Sequence, residues 1–319
     1  MQHTIVKKLY SSMRLPVIGA PMFIVANPQL IIAQCCNGII GSMPALNART
    51  TEQLDEQLAQ ITEALSTSTA PQTAPYAINQ IVHTSNLRLE KDIALCEKYK
   101  TPIIITSLSA PAEVAQAIHK WGGIVLHDVI SIRHAEKALE AGVDGLILVA
   151  NGAGGHAGTL NPFALTSEIR RFYHGPVALS GAISTGAGIL AARAIGADFA
   201  YIGTRFIATT EANASPEYKE MLIQSSAKDI TYTPYFTGVA GNYLSQSIIN
   251  AGIDPNILHQ ADKHKMNFGD NVHHAKAWKD IWGAGQGVGS IDHIMPTADL
   301  ISQLETEYQQ AKAYLSEGI

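Results

Sequence analysis

Short, nearly unbroken apolar runs alternate with amphipathic segments through the first two thirds of the chain. The runs fall at residues 16–22, 38–44, 76–82, 102–108, 123–129, 145–150, 176–180 and 199–204. Their Val, Ile and Leu content is continuous rather than alternating, as parallel strands buried on both faces require. Between them, apolar positions recur at helical spacing over 28–36, 51–65, 87–99, 111–121, 132–141, 162–172 and 186–195. Ser131 and Thr185 stand where helix N-caps belong, and Gly142 and Gly196 where helices stop. The junction Ala141-Gly142-Val143-Asp144 returns as Ile195-Gly196-Ala197-Asp198, so one supersecondary unit is reused.

Eight strand starts between residues 16 and 199 give roughly 24 to 26 residues per unit, the size of a βα module. This predicts an α/β fold, a closed (β/α)8 TIM barrel. An open doubly wound sheet would carry a Gly-rich turn after its first strand, and Gly19-Ala20-Pro21-Met22-Phe23 contains no such motif. Beyond residue 210 the alternation stops, and helical patterns at 215–226, 243–251, 275–281 and 298–314 take over. The expected organisation is a barrel over 1–209 plus a closing helix at about 298–315, with a mainly helical substrate-side subdomain over 210–297.

Composition narrows the class. Of 319 residues, 46% are hydrophobic and 15% charged, which is globular rather than disordered. Twenty-two basic and 27 acidic residues give a net charge of −5 without charge blocks, so no basic face awaits nucleic acid or an anionic membrane. Cys35, Cys36 and Cys96 support neither a disulfide framework nor a zinc site, and no metal is expected. The polar, mixed N-terminus does not read as a signal peptide, and no apolar run is long enough to span a membrane. The expected location is cytoplasmic; a homo-oligomer is compatible with this reading.

In a parallel barrel the chemistry sits at the C-terminal ends of strands. The seventh end, Ser180-Gly181-Ala182-Ile183-Ser184-Thr185-Gly186, offers small residues and backbone amides leading into a helix N-terminus. Gly203-Thr204 adds a glycine and a hydroxyl one strand over. Amides and the helix dipole favour a phosphate there, although tight βα turns would also use such glycines. The sixth end, Asn151-Gly152-Ala153-Gly154-Gly155-His156-Ala157-Gly158, surrounds one histidine with four glycines. That arrangement lets backbone approach a flat ligand and presents an imidazole able to act as base, acid or anion partner. His127 and Asp128 end the fifth strand and point to opposite faces; a core histidine and a ligand contact both fit. Residues 282–289 form a second Gly-rich loop containing Gln286.

Together, Ala20-Pro21-Met22, Tyr76-Ala77-Ile78-Asn79, Ala153 to Gly158, Ser180 to Ile183, Gly203-Thr204-Arg205-Phe206 and Ala284-Gly285-Gln286-Gly287 resemble the FMN-dependent nitronate monooxygenases, formerly called 2-nitropropane dioxygenases. The resemblance runs in order from about Leu15 to Tyr308. It implies an FMN phosphate at Ser180, Gly181, Ala182, Gly203 and Thr204. It also implies a flavin ring over Ala20, Pro21 and Met22, with Asn79, Gly154 and Gln286 nearby. Gly155, Gly287 and Asp128 complete the implied cofactor set, and His156 becomes the active-site histidine. Two positions depart from the family pattern: Ala182 replaces a common glycine, and Asp128 stands where some relatives carry lysine.

The activity so implied is oxidation of an alkyl nitronate, or of a nitroalkane, by O2 to a carbonyl compound and nitrite. A nitronate needs no base, so His156 would hold the anion. A nitroalkane would need His156 to remove its α-proton, a contribution of about 10²–10⁴-fold. FMN-dependent, NAD(P)H-using reductases of quinones or enoyl thioesters share these motifs and form the alternative, and a non-catalytic phosphate-ligand barrel is the second. The strand ends are poor in Lys and Arg apart from Arg205, which disfavours a nicotinamide nucleotide.

Overall fold

The computed structural model describes residues 2–260 and 279–317. The chain opens with α1 (Gln2–Tyr10), then β1 (Val17–Gly19), α2 (Pro28–Cys36), β2 (Gly41–Pro44), α3 (Thr51–Ser66) and β3 (Tyr76–Val82). It continues with α4 (Leu89–Lys98), β4 (Ile103–Leu108), α5 (Ala112–His119), β5 (Ile124–Val129), α6 (Ile132–Glu140) and β6 (Gly145–Val149). After a two-residue strand β7 (Gly155–His156) come α7 (Pro162–Arg170), β8 (Val177–Ser180), α8 (Gly186–Ala194), β9 (Phe199–Ile202) and the short α9 (Thr204–Ile207). The last part holds α10 (Pro216–Gln224), β10 (Ile230–Thr233), β11 (Gly241–Leu244), α11 (Ser245–Asn250) and α12 (Thr297–Ser316).

Eight strands form one parallel sheet in the order β1-β9-β8-β6-β5-β4-β3-β2. A parallel bridge between Ile18 and Ile40 brings its ends together, giving the (β/α)8 barrel. Both faces of each strand are buried, and the period of two divides them. Ile103 and Ile105 of β4 and Leu126 of β5 pack in the barrel interior with Ile147, Ala178 and Phe199. Ile104 and Val125 point the other way, into the layer between sheet and helices. The repeated Gly-x-Asp junction also acquires a cause. Asp144 accepts from the Val125 amide at 2.8 Å, and Asp198 from the Val177 amide at 2.9 Å. In each unit the carboxylate fixes the start of the neighbouring strand.

The N-terminal helix α1 has no counterpart in the sequence reading. Its Leu9, with Met13 just after it, joins the interior cluster, and Tyr10 meets the Phe199 ring edge-on at 5.2 Å. Burial of these side chains closes the barrel end opposite the strand C-termini. The stretch expected to be mainly helical differs as well. It contains α10 and α11, but also β10 and β11, which pair antiparallel with each other while β11 pairs with β7. The helix expected from residue 243 starts at Ser245 because Tyr243 is taken into that ladder. The helix expected over 275–281 lies mostly outside the described residues.

Helix α12 closes the ring against α8 and α2. Its approach to α8 is backbone on backbone: a Cβ added at Gly186 would stand 2.2 Å from the Tyr308 nitrogen and 2.4 Å from the Leu304 carbonyl oxygen. Neither neighbour is a flexible side chain, so Gly186→Ala should destabilise the fold by about 1–3 kcal/mol or more, outweighing alanine's helix propensity. Urea unfolding would measure this, and an equal or higher midpoint would contradict it.

Candidate active site

A cleft enclosing about 260 Å³ opens at the C-terminal ends of β8 and β9, lined by Gly154, Ser180, Gly181, Ala182, Gly203, Thr204 and Gly287, among others. Seven of the residues expected to hold a cofactor are therefore gathered there. Ala20 and Met22 flank it: a Cβ at Gly203 would lie 3.4 Å from the Ala20 Cβ and 3.5 Å from the Met22 Sδ. Pro21 is the link between them. Gln286 reaches in from the C-terminal loop, its Oε1 3.1 Å from where a Gly152 Cβ would stand.

The amides at the two strand ends expected to meet a phosphate are not equally available. At the N-terminus of α8 the Gly186 amide donates to the Glu307 carboxylate at 2.7 Å and the Gly188 amide to the Thr185 hydroxyl at 3.1 Å. The Ala182 amide, expected to face a phosphate, donates to the Gly152 carbonyl at 3.2 Å. Ala182 also sits in the left-handed region at φ +53°, where a Cβ is strained. The amides of Gly203 and Thr204, at the start of α9, find no acceptor among the described residues. They border the same cleft as Ser180 and Gly181. A phosphate site on a short extra helix after the eighth barrel strand is a recurrent barrel feature.

Across the mouth, Asn79 and Asp128 are joined through Ser107, the polar residue at the end of β4. Asn79 Nδ2 donates to Ser107 Oγ at 2.8 Å, and the Ser107 hydroxyl donates to Asp128 Oδ2 at 2.6 Å. Asp128 Oδ1 is buried and has no hydrogen-bond partner among the described residues. Burial, only partly offset by the Ser107 hydroxyl, pushes the carboxyl up to about 6. Tyr201, a residue the sequence reading missed, lines the cleft, and the negative charge of Asp128 helps burial raise its phenol well above 10. It lies two residues before Gly203 on the same inward face, so strand parity alone would have found it. His127 faces the helix layer, hydrogen-bonded to Thr106 Oγ1 at 2.8 Å, and is a core histidine.

Gly155 and His156 form β7 and pair with Asn242 and Gly241 of β11. His156 is outside the lining of the cleft. Its Nε2 lies 2.8 Å from Thr237 Oγ1, and the Thr237 hydroxyl donates to the Val239 carbonyl at 3.0 Å. With the threonine hydrogen directed to Val239, the Thr237 oxygen is left to accept from Nε2. Burial lowers the imidazole to about 4, so at neutral pH it is uncharged rather than an imidazolium. Asn242, a further residue not foreseen, donates from Nδ2 to the Ala153 carbonyl at 2.6 Å and holds the sixth-strand loop in place.

Comparison with known proteins settles the family. The sequence model of nitronate monooxygenase matches residues 5–307. The chain belongs to the nitronate monooxygenase family. A nitronate monooxygenase of Paraburkholderia phytofirmans is similar at 29% identity, with 93% of each chain aligned. Among solved structures, FabK from Thermotoga maritima superposes with a TM-score of 0.78 over 99% of both chains at 22% identity. A nitroalkane oxidase from Streptomyces ansochromogenes also gives 0.78, at 21% identity, over 96% of this chain and 99% of that one. At such identities the two structures speak for a common fold. Membership in the nitronate monooxygenase family makes the chain an oxidoreductase. No helix among the described residues is long and apolar enough to cross a membrane, and no group of three metal-ligating side chains occurs among them.

The lowered His156 and His127 carry a stability consequence. Both are pushed to about 4 by burial, below the unfolded value of about 6.5. The unfolded chain therefore binds more protons between those limits, and their contribution to stability is complete above pH 6.5 and lost as pH falls towards 4. Each should remove about 3 kcal/mol over that window. Chemical denaturation across pH 4–7 would check this, with the fall reduced in His127→Gln and His156→Gln; a flat profile would contradict it.

Proposed function

We propose that this nitronate monooxygenase family member binds FMN and oxidises an alkyl nitronate or nitroalkane with O2, giving a carbonyl compound and nitrite. The observation that carries the reading is the pair of amides at Gly203 and Thr204, without an acceptor among the described residues, beside Ser180 and Gly181 in a cleft continuous with the loop that bears His156. A phosphate monoester needs several donors and no opposing carboxylate. These residues fit it; the start of α8, already facing Glu307, fits it less well. Ala20, Pro21, Met22, Asn79, Gly154 and Gln286 would border the ring, with Gly155 and Gly287 shaping its approach. FMN, when bound, supplies the electron chemistry.

The residues of the chain divide the remaining tasks. The Gly203 and Thr204 amides anchor the phosphate by hydrogen bonds that α9 aligns. Thr237 holds the His156 ring through Nε2 and so sets how the imidazole is presented. A neutral imidazole suits proton acceptance at neutral pH better than it suits pairing with an anion. This favours His156 as the base that removes the α-proton of a nitroalkane. A nitronate, already deprotonated, makes no such demand.

Two measurements test the reading. The purified protein should be yellow and release nitrite from propionate 3-nitronate in air, while NADPH added without oxygen should leave the flavin spectrum unbleached. A colourless protein, or rapid bleaching by NADPH alone, would favour the alternatives. For the histidine, His156→Asn should lower kcat/KM on a nitroalkane by about 10²-fold or more and on its pre-formed nitronate far less. Equal losses on the two would contradict the base role.

A further inference from the structure

Asp128 is the anomaly of the barrel mouth. It lies on the interior face of β5, its Oδ2 accepting from Ser107 and its Oδ1 buried without a partner among the described residues. The surroundings among the described residues supply no counter-charge. From β4 comes the Ser107 hydroxyl, from β6 the apolar Ile147 and Val149, and from β9 the Tyr201 phenol, which is neutral. His156 on β7 is uncharged at neutral pH, and no cation among the described residues contributes to the environment of the carboxyl. The Asn79–Ser107–Asp128 chain links this carboxyl to a residue placed above beside the flavin ring. A buried carboxyl with one satisfied and one orphaned oxygen has two stable outcomes: it takes a proton, or it meets a donor on a ligand.

We propose that Asp128 is the ionisable group that sets how readily a flavin in this barrel mouth accepts negative charge, opposing it as a carboxylate and ceasing to oppose it once protonated. The inference rests on the cofactor reading given under Proposed function. When a bound flavin is reduced by two electrons from an added reductant such as dithionite, negative charge near Asp128 makes its carboxylate a better proton acceptor. One solvent proton then binds at Oδ1, with no protein bond broken, in addition to any proton taken by the ring. Burial already pushes the carboxyl to about 6, so the uptake falls in the range between pH 5 and 8 rather than in acid. The sign follows: above that range the wild-type flavin is harder to reduce than one beside a neutral side chain, and below it the difference disappears.

The test is the midpoint potential of the flavin-loaded protein, titrated from pH 5 to 8, for wild type and Asp128→Asn. At pH 8 the preference for oxidised over reduced flavin should be about tenfold greater in wild type, ~30 mV lower for a two-electron couple, and at pH 5 the two should coincide. Identical potentials at pH 8, or the same offset at both ends, would overturn the proposal. Ser107→Ala gives an independent arm. Its hydroxyl favours the charged carboxylate, so its loss should move the bend in the wild-type profile to higher pH; an unmoved bend overturns the proposal as well. Flavin retained without these effects removes only the role of Asp128, whereas a wild-type protein that holds no flavin removes both it and the reading on which it rests.

Discussion

The carbonyl oxygen of Gly152 ties the site together. It accepts the Ala182 amide at 3.2 Å and the Gln286 amide at 2.9 Å, so one acceptor on the sixth-strand loop joins the seventh-strand turn to the C-terminal loop. Gly152 adopts φ +84°, a conformation open to glycine at little steric cost. The consequences reach the cleft. Ala182 is held in its left-handed conformation, and the loop carrying Gln286 is drawn over the mouth. There Gly285 donates to Thr204 Oγ1 at 2.9 Å, fastening that loop to the start of α9. Three segments far apart in sequence are thus fixed around a space that none of them could enclose alone.

Electrostatics in this space comes from dipoles more than from charges. The basic side chain closest in sequence, Arg205, is buried in α9 and interacts with Asp292 and Glu307. The same Glu307 satisfies the first amide of α8. One helix terminus is thus closed by a carboxylate, while the first amides of α9 meet no acceptor among the described residues. The other side of the mouth is different again, with a neutral imidazole nearby and a carboxyl oxygen that has no partner among the described residues. This asymmetry suits a ligand that is anionic at one end only.

Much of the architecture was legible because period and burial agree. Runs such as 102–108 are apolar at successive positions, and only a strand buried on both faces accounts for that. The helix caps at Ser131 and Thr185 were equally readable, since a side-chain oxygen and an amide three residues on are local partners. What escaped was non-local. Helix α1 is short, and its apolar residues matter only because an open barrel end awaits them. β7 contains two residues, and its partner β11 lies some eighty positions later, so no window of sequence holds both. Leu244 has helical spacing with Ile248, yet the ladder of Tyr243 and Leu244 to β10 wins because tertiary pairing overrides a weak local preference.

The glycine runs show the difference between reading a motif and reading its cause. Gly154 and Gly155 suggest backbone cleared for a flat ligand, but the nearest obstacles to a side chain there are other parts of this chain. A Cβ at Gly154 would come within 2.8 Å of the Gly285 amide nitrogen, and one at Gly285 within 2.6 Å of the Gly152 carbonyl oxygen. A Cβ at Gly241 would in turn meet the Gly155 carbonyl at 2.8 Å. The sixth-strand loop, β11 and the C-terminal loop are therefore glycine-rich for one another: their backbones must touch before any ligand arrives. A chain that shapes its cleft by such contacts has little freedom to substitute there, which is why the motif stands out in the sequence even though its first use is to pack three backbones together.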